Sequence, residues 1–130
     1  YAGDDATDAD NNRLLLSRLA AVPDGKRTAR FVCVIALALP SPETVFRSAP
    51  PHGVEPGKPS LHFFRGETHG ALLRAPRGGN GFGYDPLFLS DDLGVTFAEA
   101  EGPAKHAVSH RGRALSKLIG TLQRWAMLAG

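Results

Sequence analysis

Two stretches of the chain carry residue types and spacings that can do chemistry. The first is GGNGFGYDPLF at residues 78–88. Its glycines permit positive φ or close approach of the backbone to a ligand. Directly behind them come Phe82, Tyr84, the carboxylate of Asp85 and Pro86. Rings one glycine apart lie on the same side of a strand, because side chains alternate, and nucleobases stack on such rings. The second stretch is KHAVSHR at residues 105–111, with Lys105, His110 and Arg111. Ser109 is suited to cap a helix, which puts His110 and Arg111 in its first turn. Cations there oppose the helix dipole, so two together point to a ligand rich in acceptors.

Several familiar sites are excluded by what surrounds these residues. The alternation Gly79, Gly81, Gly83 is neither the dinucleotide fingerprint nor the phosphate loop, and no Gly-Lys-Ser/Thr follows. Gly81-Phe82-Gly83-Tyr84 fits the middle of the RNA-recognition sheet motif. Asn80 replaces its basic residue, however, and Asp85-Pro86 would break a central strand and repel a phosphate backbone. A glycine-rich turn with two packing aromatics is the plain alternative, of equal weight on residue types alone. His106 and His110 are spaced i, i+4, but Ala107 stands where a zinc protease needs Glu, and no third ligand is in view. His52, His62 and His69 show no partner pattern and read as surface or strand positions. Asp4, Asp5, Asp8 and Asp10 lie just ahead of or at a helix start, where acids are caps more often than metal ligands.

These residues need elements to hold them. At 130 residues, 42% apolar and 22% charged, with a net charge of +2, the chain reads as one globular domain with a core. No acid follows Glu101, so the C-terminal end is basic. Cys33 stands alone, which excludes an internal disulfide and fits a reducing compartment; its apolar neighbours predict a buried thiol. The longest apolar run is about half of the ~18 residues a membrane span needs. With no signal peptide visible, a cytoplasmic location is expected. Thr7 or Asp8 caps a first helix using Leu14, Leu15, Leu19 and Val22, stopped by Pro23-Asp24-Gly25. Residues 27–39, uninterruptedly apolar from Phe31 to Leu39, are predicted as a central strand covered on both faces. Residues 40–59 are a stiff proline-rich loop with a short strand at 44–47. Strands are predicted at 61–66 and 70–75, joined by Glu67-Thr68-His69, and at 87–89. Pro103 opens a short helix. From Ser109, Leu115, Leu118, Ile119, Leu122, Trp125 and Ala126 repeat at helical spacing to the end.

Taken together, the chain resembles the inosine triphosphate pyrophosphatase family, the XTP/dITP diphosphatases. Four segments carry the likeness in the family's order: residues 1–15 from Tyr1-Ala2-Gly3 to Leu15, Ala29-Arg30-Phe31-Val32-Cys33, residues 81–88, and Lys105 with residues 109–115. Thr96-Phe97-Ala98-Glu99 also fits. The resemblance implies an α/β fold, an elongated mixed β-sheet with flanking helices in two lobes. It implies that this chain is the family's later two-thirds, its N-terminal part missing. It also implies a homodimer and Mg²⁺-dependent hydrolysis of ITP, dITP or XTP to monophosphate and pyrophosphate. Phe82 would stack on the purine, with Gly83, Tyr84 and Asp85 shaping its pocket. Lys105, His110 and Arg111 would contact the substrate, the last two at its 6-oxo group. Neither a catalytic residue nor a metal ligand is assigned to this chain, and these residues alone are expected not to release pyrophosphate. The rival reading is a non-enzymatic module that binds single-stranded RNA on Phe82 and Tyr84. The expected partner is a purine nucleoside triphosphate, with no nucleic acid polymer and no membrane.

Overall fold

The computed structural model describes residues 1–40, 54, 55 and 57–129. The short strand expected at 44–47, His52 and most of the proline-rich loop lie outside the described residues. Helix α1 spans Asp8–Arg18, and a 3₁₀ turn spans Asp24–Lys26. Strand β1 is Thr28–Leu39, β2 is Ser60–Leu72 and β3 is Phe88–Ser90. Helix α2 is Gly102–Val108 and α3 is His110–Ala129. The sheet order is β1-β2-β3, with β2 and β3 antiparallel and Gly70 opposite Ser90. The α/β class expected from the sequence is the class found. No described helix is long and apolar enough to cross a membrane.

Two expectations about strands are corrected. Residues 61–66 and 70–72 are not two strands of a hairpin but parts of one thirteen-residue strand, and 73–75 lie beyond its end. Glu67-Thr68-His69 contains no residue that favours positive φ, and the side chain of Thr68 is fully buried in the sheet. Gly66 and Gly70 mark places where neighbours come close. A Cβ on Gly66 would lie 2.2 Å from the His110 carbonyl oxygen of α3, and one on Gly70 2.3 Å from that of Leu89. The second correction concerns β1, which lies at the edge of the described sheet and alternates exposed with half-buried residues. Val32 and Val34 are 42% and 54% exposed, and Cys33 is only half-buried. A continuously apolar run makes burial of both faces favourable, but nothing in the run itself supplies the second cover.

The residues group into two compact units, one of Tyr1–Phe31 with Thr68–Ser109, the other of Val32–Glu67 with His110–Gly130. In the first, Phe31, Phe88 and Phe97 form a ring cluster with centroids 4.6 to 6.1 Å apart. Phe88 and Phe97 are almost wholly buried, a favourable transfer of about 1.5–3 kcal/mol each. The guanidinium of Arg27, also buried, donates to the carbonyls of Leu19 at 2.6 Å, Leu72 at 2.8 Å and Leu73 at 3.1 Å. In the second unit, α3 lies against β2. Lys117 Nζ donates to the Arg65 carbonyl at 2.6 Å and Arg113 to that of Glu67 at 2.9 Å. Trp125 meets His62 edge-on and packs in a small core with Leu39 and Val54.

Candidate functional site

The glycine stretch is not a strand. Residues 81–87 form a chain of turns, in which the Asp85 N–H donates to the Phe82 carbonyl at 3.2 Å and the Leu87 N–H to that of Tyr84 at 3.0 Å. Phe82 and Tyr84 therefore do not share a sheet face, and the premise of a stacking platform for a polymer is removed. The physical reason lies in Gly81 and Gly83, whose φ angles of +73° and +61° lie in the left-handed region and curl the backbone.

The loop is fastened at several points. Its ends meet where the Arg77 N–H donates to the Pro86 carbonyl at 2.9 Å. Ala98 accepts from the Asn80 N–H at 2.9 Å and donates to the Asp85 carbonyl at 3.3 Å. Ala98 is itself held inside a reciprocal box, in which the Thr96 N–H donates to Glu99 Oε1 at 3.2 Å and the Glu99 N–H to Thr96 Oγ1 at 3.1 Å. The Thr96 backbone N–H, above all, holds the Glu99 carboxyl below the usual carboxylate range; the Thr96 hydroxyl and the Arg77 charge add to this.

Asp85 and Lys105 come together inside this unit. The Asp85 side chain is buried, and its Oδ2 accepts from the Phe82 N–H at 3.0 Å and from Lys105 Nζ at 2.5 Å. A Cβ on Gly81 would sit 2.1 Å from that oxygen, so the carboxylate occupies the space a side chain would take. Lys105 Nζ also lies 5.0 Å from the centre of the Phe82 ring and 5.7 Å from that of Phe97, within cation–π range. Phe82 as a residue is 57% exposed. The arrangement is an aromatic ring held at the surface, with a cation over it and an anchored carboxylate below its backbone.

Two residues to which the sequence assigned no site role, Asp8 and Asn12, bond to this loop. Asp8 Oδ2 accepts from the Gly83 N–H at 2.8 Å, and Asn12 Nδ2 donates to the Gly83 carbonyl at 3.1 Å. They project from one face of α1, four residues apart. The available signal was that Asp-x-x-x-Asn spacing, which offers an acceptor and a donor one turn apart. Helix α1 is placed by Thr7, whose hydroxyl accepts from the Asp10 N–H at 3.2 Å while its own N–H donates to Asp10 Oδ2 at 2.9 Å. The Thr7 N–H bond is the main cause holding the Asp10 carboxyl below the usual range.

His110 and Arg111 belong to the second unit, in the first turn of α3. Arg111 is exposed and His110 half-buried. Ser109 has extended backbone, at φ −67° and ψ 155°, and separates α2 from α3, so His106 and His110 do not share a helix. Among the described residues, no group of three or more His, Cys, Asp or Glu side chains gathers to hold a metal ion. No Mg²⁺ ligand is assigned to these residues.

The pattern of the Ham1 family matches residues 1–121. The chain is 48% identical over 118 residues to the dITP/XTP pyrophosphatase of Geobacter sulfurreducens, covering 91% of this chain and 51% of that one. It is 45% identical over 122 residues to the dITP/XTP pyrophosphatase of Exiguobacterium sibiricum, covering 94% and 53%. It thus spans about half the length of these curated relatives. Among solved structures, a HAM1 protein from Coxiella burnetii superposes with a TM-score of 0.75 at 38% identity, over 95% of this chain and 55% of that one. The Staphylococcus aureus Ham1 protein gives the same TM-score at 30% identity. Matched in pattern, sequence and fold over most of its length, the chain belongs to the Ham1 family.

Proposed function

We propose that this chain is the base-recognising portion of a pyrophosphohydrolase that removes non-standard purine nucleotides, ITP, dITP and XTP, from the nucleotide pool. The single observation that carries this reading is Phe82, a residue 57% exposed yet fixed through its backbone N–H to the buried Asp85. A ring spread at the surface on an anchored backbone is suited to stack a flat base. The dITP/XTP pyrophosphatase names of the relatives support the substrate class. Nothing in the comparisons supports the RNA-binding alternative.

In the proposed reaction water adds to the α-phosphorus and the bond to the β-phosphate bridge breaks, leaving the monophosphate and pyrophosphate. Mg²⁺ is part of this proposal for the whole protein, as are a homodimer and a cytoplasmic location. No step at the phosphates is assigned to these residues. The task of this chain is the base. Phe82 stacks on it, Lys105 adds positive charge beside the ring, and Gly83, Tyr84 and Asp85 shape the turn. His110 and Arg111 supply donors for the 6-oxo group of hypoxanthine or xanthine. A guanidinium and a protonated imidazole donate but do not accept. An adenine amino group would meet them donor to donor, at a cost of about 1–3 kcal/mol in a buried site.

The test is kcat/KM for ITP and ATP with Arg111→Ala in the full-length protein. Losing a charge-assisted hydrogen bond of about 1.5–3 kcal/mol lowers the ITP-to-ATP ratio about tenfold or more. Equal losses for both nucleotides would remove Arg111 from base recognition.

A further inference from the structure

The reading above gives Phe82 a task that depends on the angle of its ring, and the loop that carries Phe82 contains two glycines in left-handed backbone. Such a loop has many alternative shapes, so something outside it must select one. Contacts within the loop and to Ala98 secure Asn80, Phe82 and Asp85. Gly83 has no side chain, and both of its backbone polar groups are taken by α1: Asp8 accepts its N–H and Asn12 donates to its carbonyl. The two bonds grip one residue from both sides of its Cα and span 75 and 71 positions of sequence. Asp8 in the first turn of a helix is by itself unremarkable, since acids are favoured there by the dipole. Its bond to a peptide N–H across the unit is not part of that pattern. Asn12 adds a second sign. Its Oδ1 is buried with no hydrogen-bond partner among the described residues, while Nδ2 is spent on Gly83. A buried acceptor left unsatisfied is uncommon, and turning the amide over would set oxygen against the Gly83 carbonyl.

We propose that Asp8 and Asn12 are positioning residues for the substrate base. Gripping Gly83, they fix the turn between Phe82 and Asp85 and thereby the angle at which the Phe82 ring meets a purine. This rests on the stacking reading proposed above. Neither residue touches the base; both act through the loop backbone.

The test is a double-mutant cycle in the full-length protein, with ITP as the probe. Asp8→Ala and Asn12→Ala are each made alone and with Phe82→Ala. Each single variant raises KM for ITP about three- to tenfold with little change in kcat, in keeping with one hydrogen bond. In the Phe82→Ala background the same changes cost less than about twofold, because the ring they position is gone. Asp8→Asn restores most of the loss, since its amide oxygen still accepts from the Gly83 N–H. Asn12→Asp does not, since a carboxylate cannot donate. Amide hydrogen exchange at Gly83 speeds up in Asp8→Ala and recovers in Asp8→Asn. Full losses persisting in the Phe82→Ala background would show a general folding role and overturn the proposal. So would an unchanged KM in Asp8→Ala while Phe82→Ala is impaired. If Phe82→Ala itself leaves KM unchanged, the stacking reading fails and this inference with it. Should Asp8→Ala not fold, Asn12→Asp carries the same cycle.

Discussion

Three glycines in one loop, each replaced by alanine, separate backbone strain from a specific clash. At Gly79 the backbone lies outside the left-handed region and a Cβ would meet nothing within 4 Å. Alanine there restricts the unfolded chain and stabilises by ~0.4–1 kcal/mol. At Gly83 the space is also open, but φ is +61°, so alanine costs about 1–2 kcal/mol in strain. At Gly81 φ is +73°, and the new Cβ would lie 2.1 Å from Asp85 Oδ2 and 3.1 Å from Lys105 Nζ. The carboxylate is buried and has to move, which breaks its bond from the Phe82 N–H or from Lys105. Losing a bond to a charged group adds ~1.5–3 kcal/mol, for a total of about 2.5–5 kcal/mol. Urea unfolding of the three variants measures this. With a slope of about 2 kcal/mol/M, the midpoint falls by roughly 1.2–2.5 M for Gly81→Ala and by roughly 0.5–1 M for Gly83→Ala. It holds or rises slightly for Gly79→Ala. Equal shifts at Gly81 and Gly83 would mean that the Asp85 carboxylate does not fill the space beside Gly81, and the anchoring of Phe82 would have to be abandoned.

Phe82→Ala weakens ITP and ATP binding alike, because stacking, worth ~1–3 kcal/mol, does not sense the group at position 6; competitive binding of the two nucleotides checks this. Acid loosens the start of α1. The Asp10 carboxyl is depressed in the folded state, so its contribution is complete above the ordinary Asp value of about 4 and is lost as pH falls through the lower, folded value. Thr7→Ala removes one of the hydrogen bonds that depress Asp10, so an NMR titration of Asp10 moves up toward the ordinary value; an unchanged titration would refute this cause.

Local signals made much of this molecule legible from sequence. Thr7, one of the two expected caps, does cap α1, which begins at Asp8 but ends at Arg18, short of the expected Val22. Glu101, Pro103 and Ser109 delimit α2, which spans Gly102–Val108. The long terminal helix follows from its apolar spacing. What failed was information that lives in neighbours. Gly66 and Gly70 look like turn residues, and only the approach of α3 and β3 shows that they are close-contact positions in one strand. Phe82 and Tyr84 look like alternate strand positions until the left-handed backbone of Gly81 and Gly83 is known. At the site, the types of Phe82, Asp85 and Lys105 were visible, but not that the carboxylate and ammonium are bonded to each other. Asp8 and Asn12 were hidden for a stronger reason. Their partner is a peptide group more than seventy residues away, and a peptide group has no sequence signature.

Arg27 has a consequence of its own for how the first unit responds to its surroundings. All the hydrogen bonds described for its guanidinium go to carbonyl oxygens, of Leu19 and Val22 beyond α1 and of Leu72 and Leu73 at the end of β2. A guanidinium does not lose its proton at any pH a protein survives, and a carbonyl has none to gain. Being buried, the contact is also little screened by salt. The Arg27 contacts between the tail of α1 and the end of β2 are therefore indifferent to acidity and ionic strength, whereas the exposed Arg74–Asp24 ion pair beside them is screened by salt and the head of the same helix, held by Asp10, responds to acid.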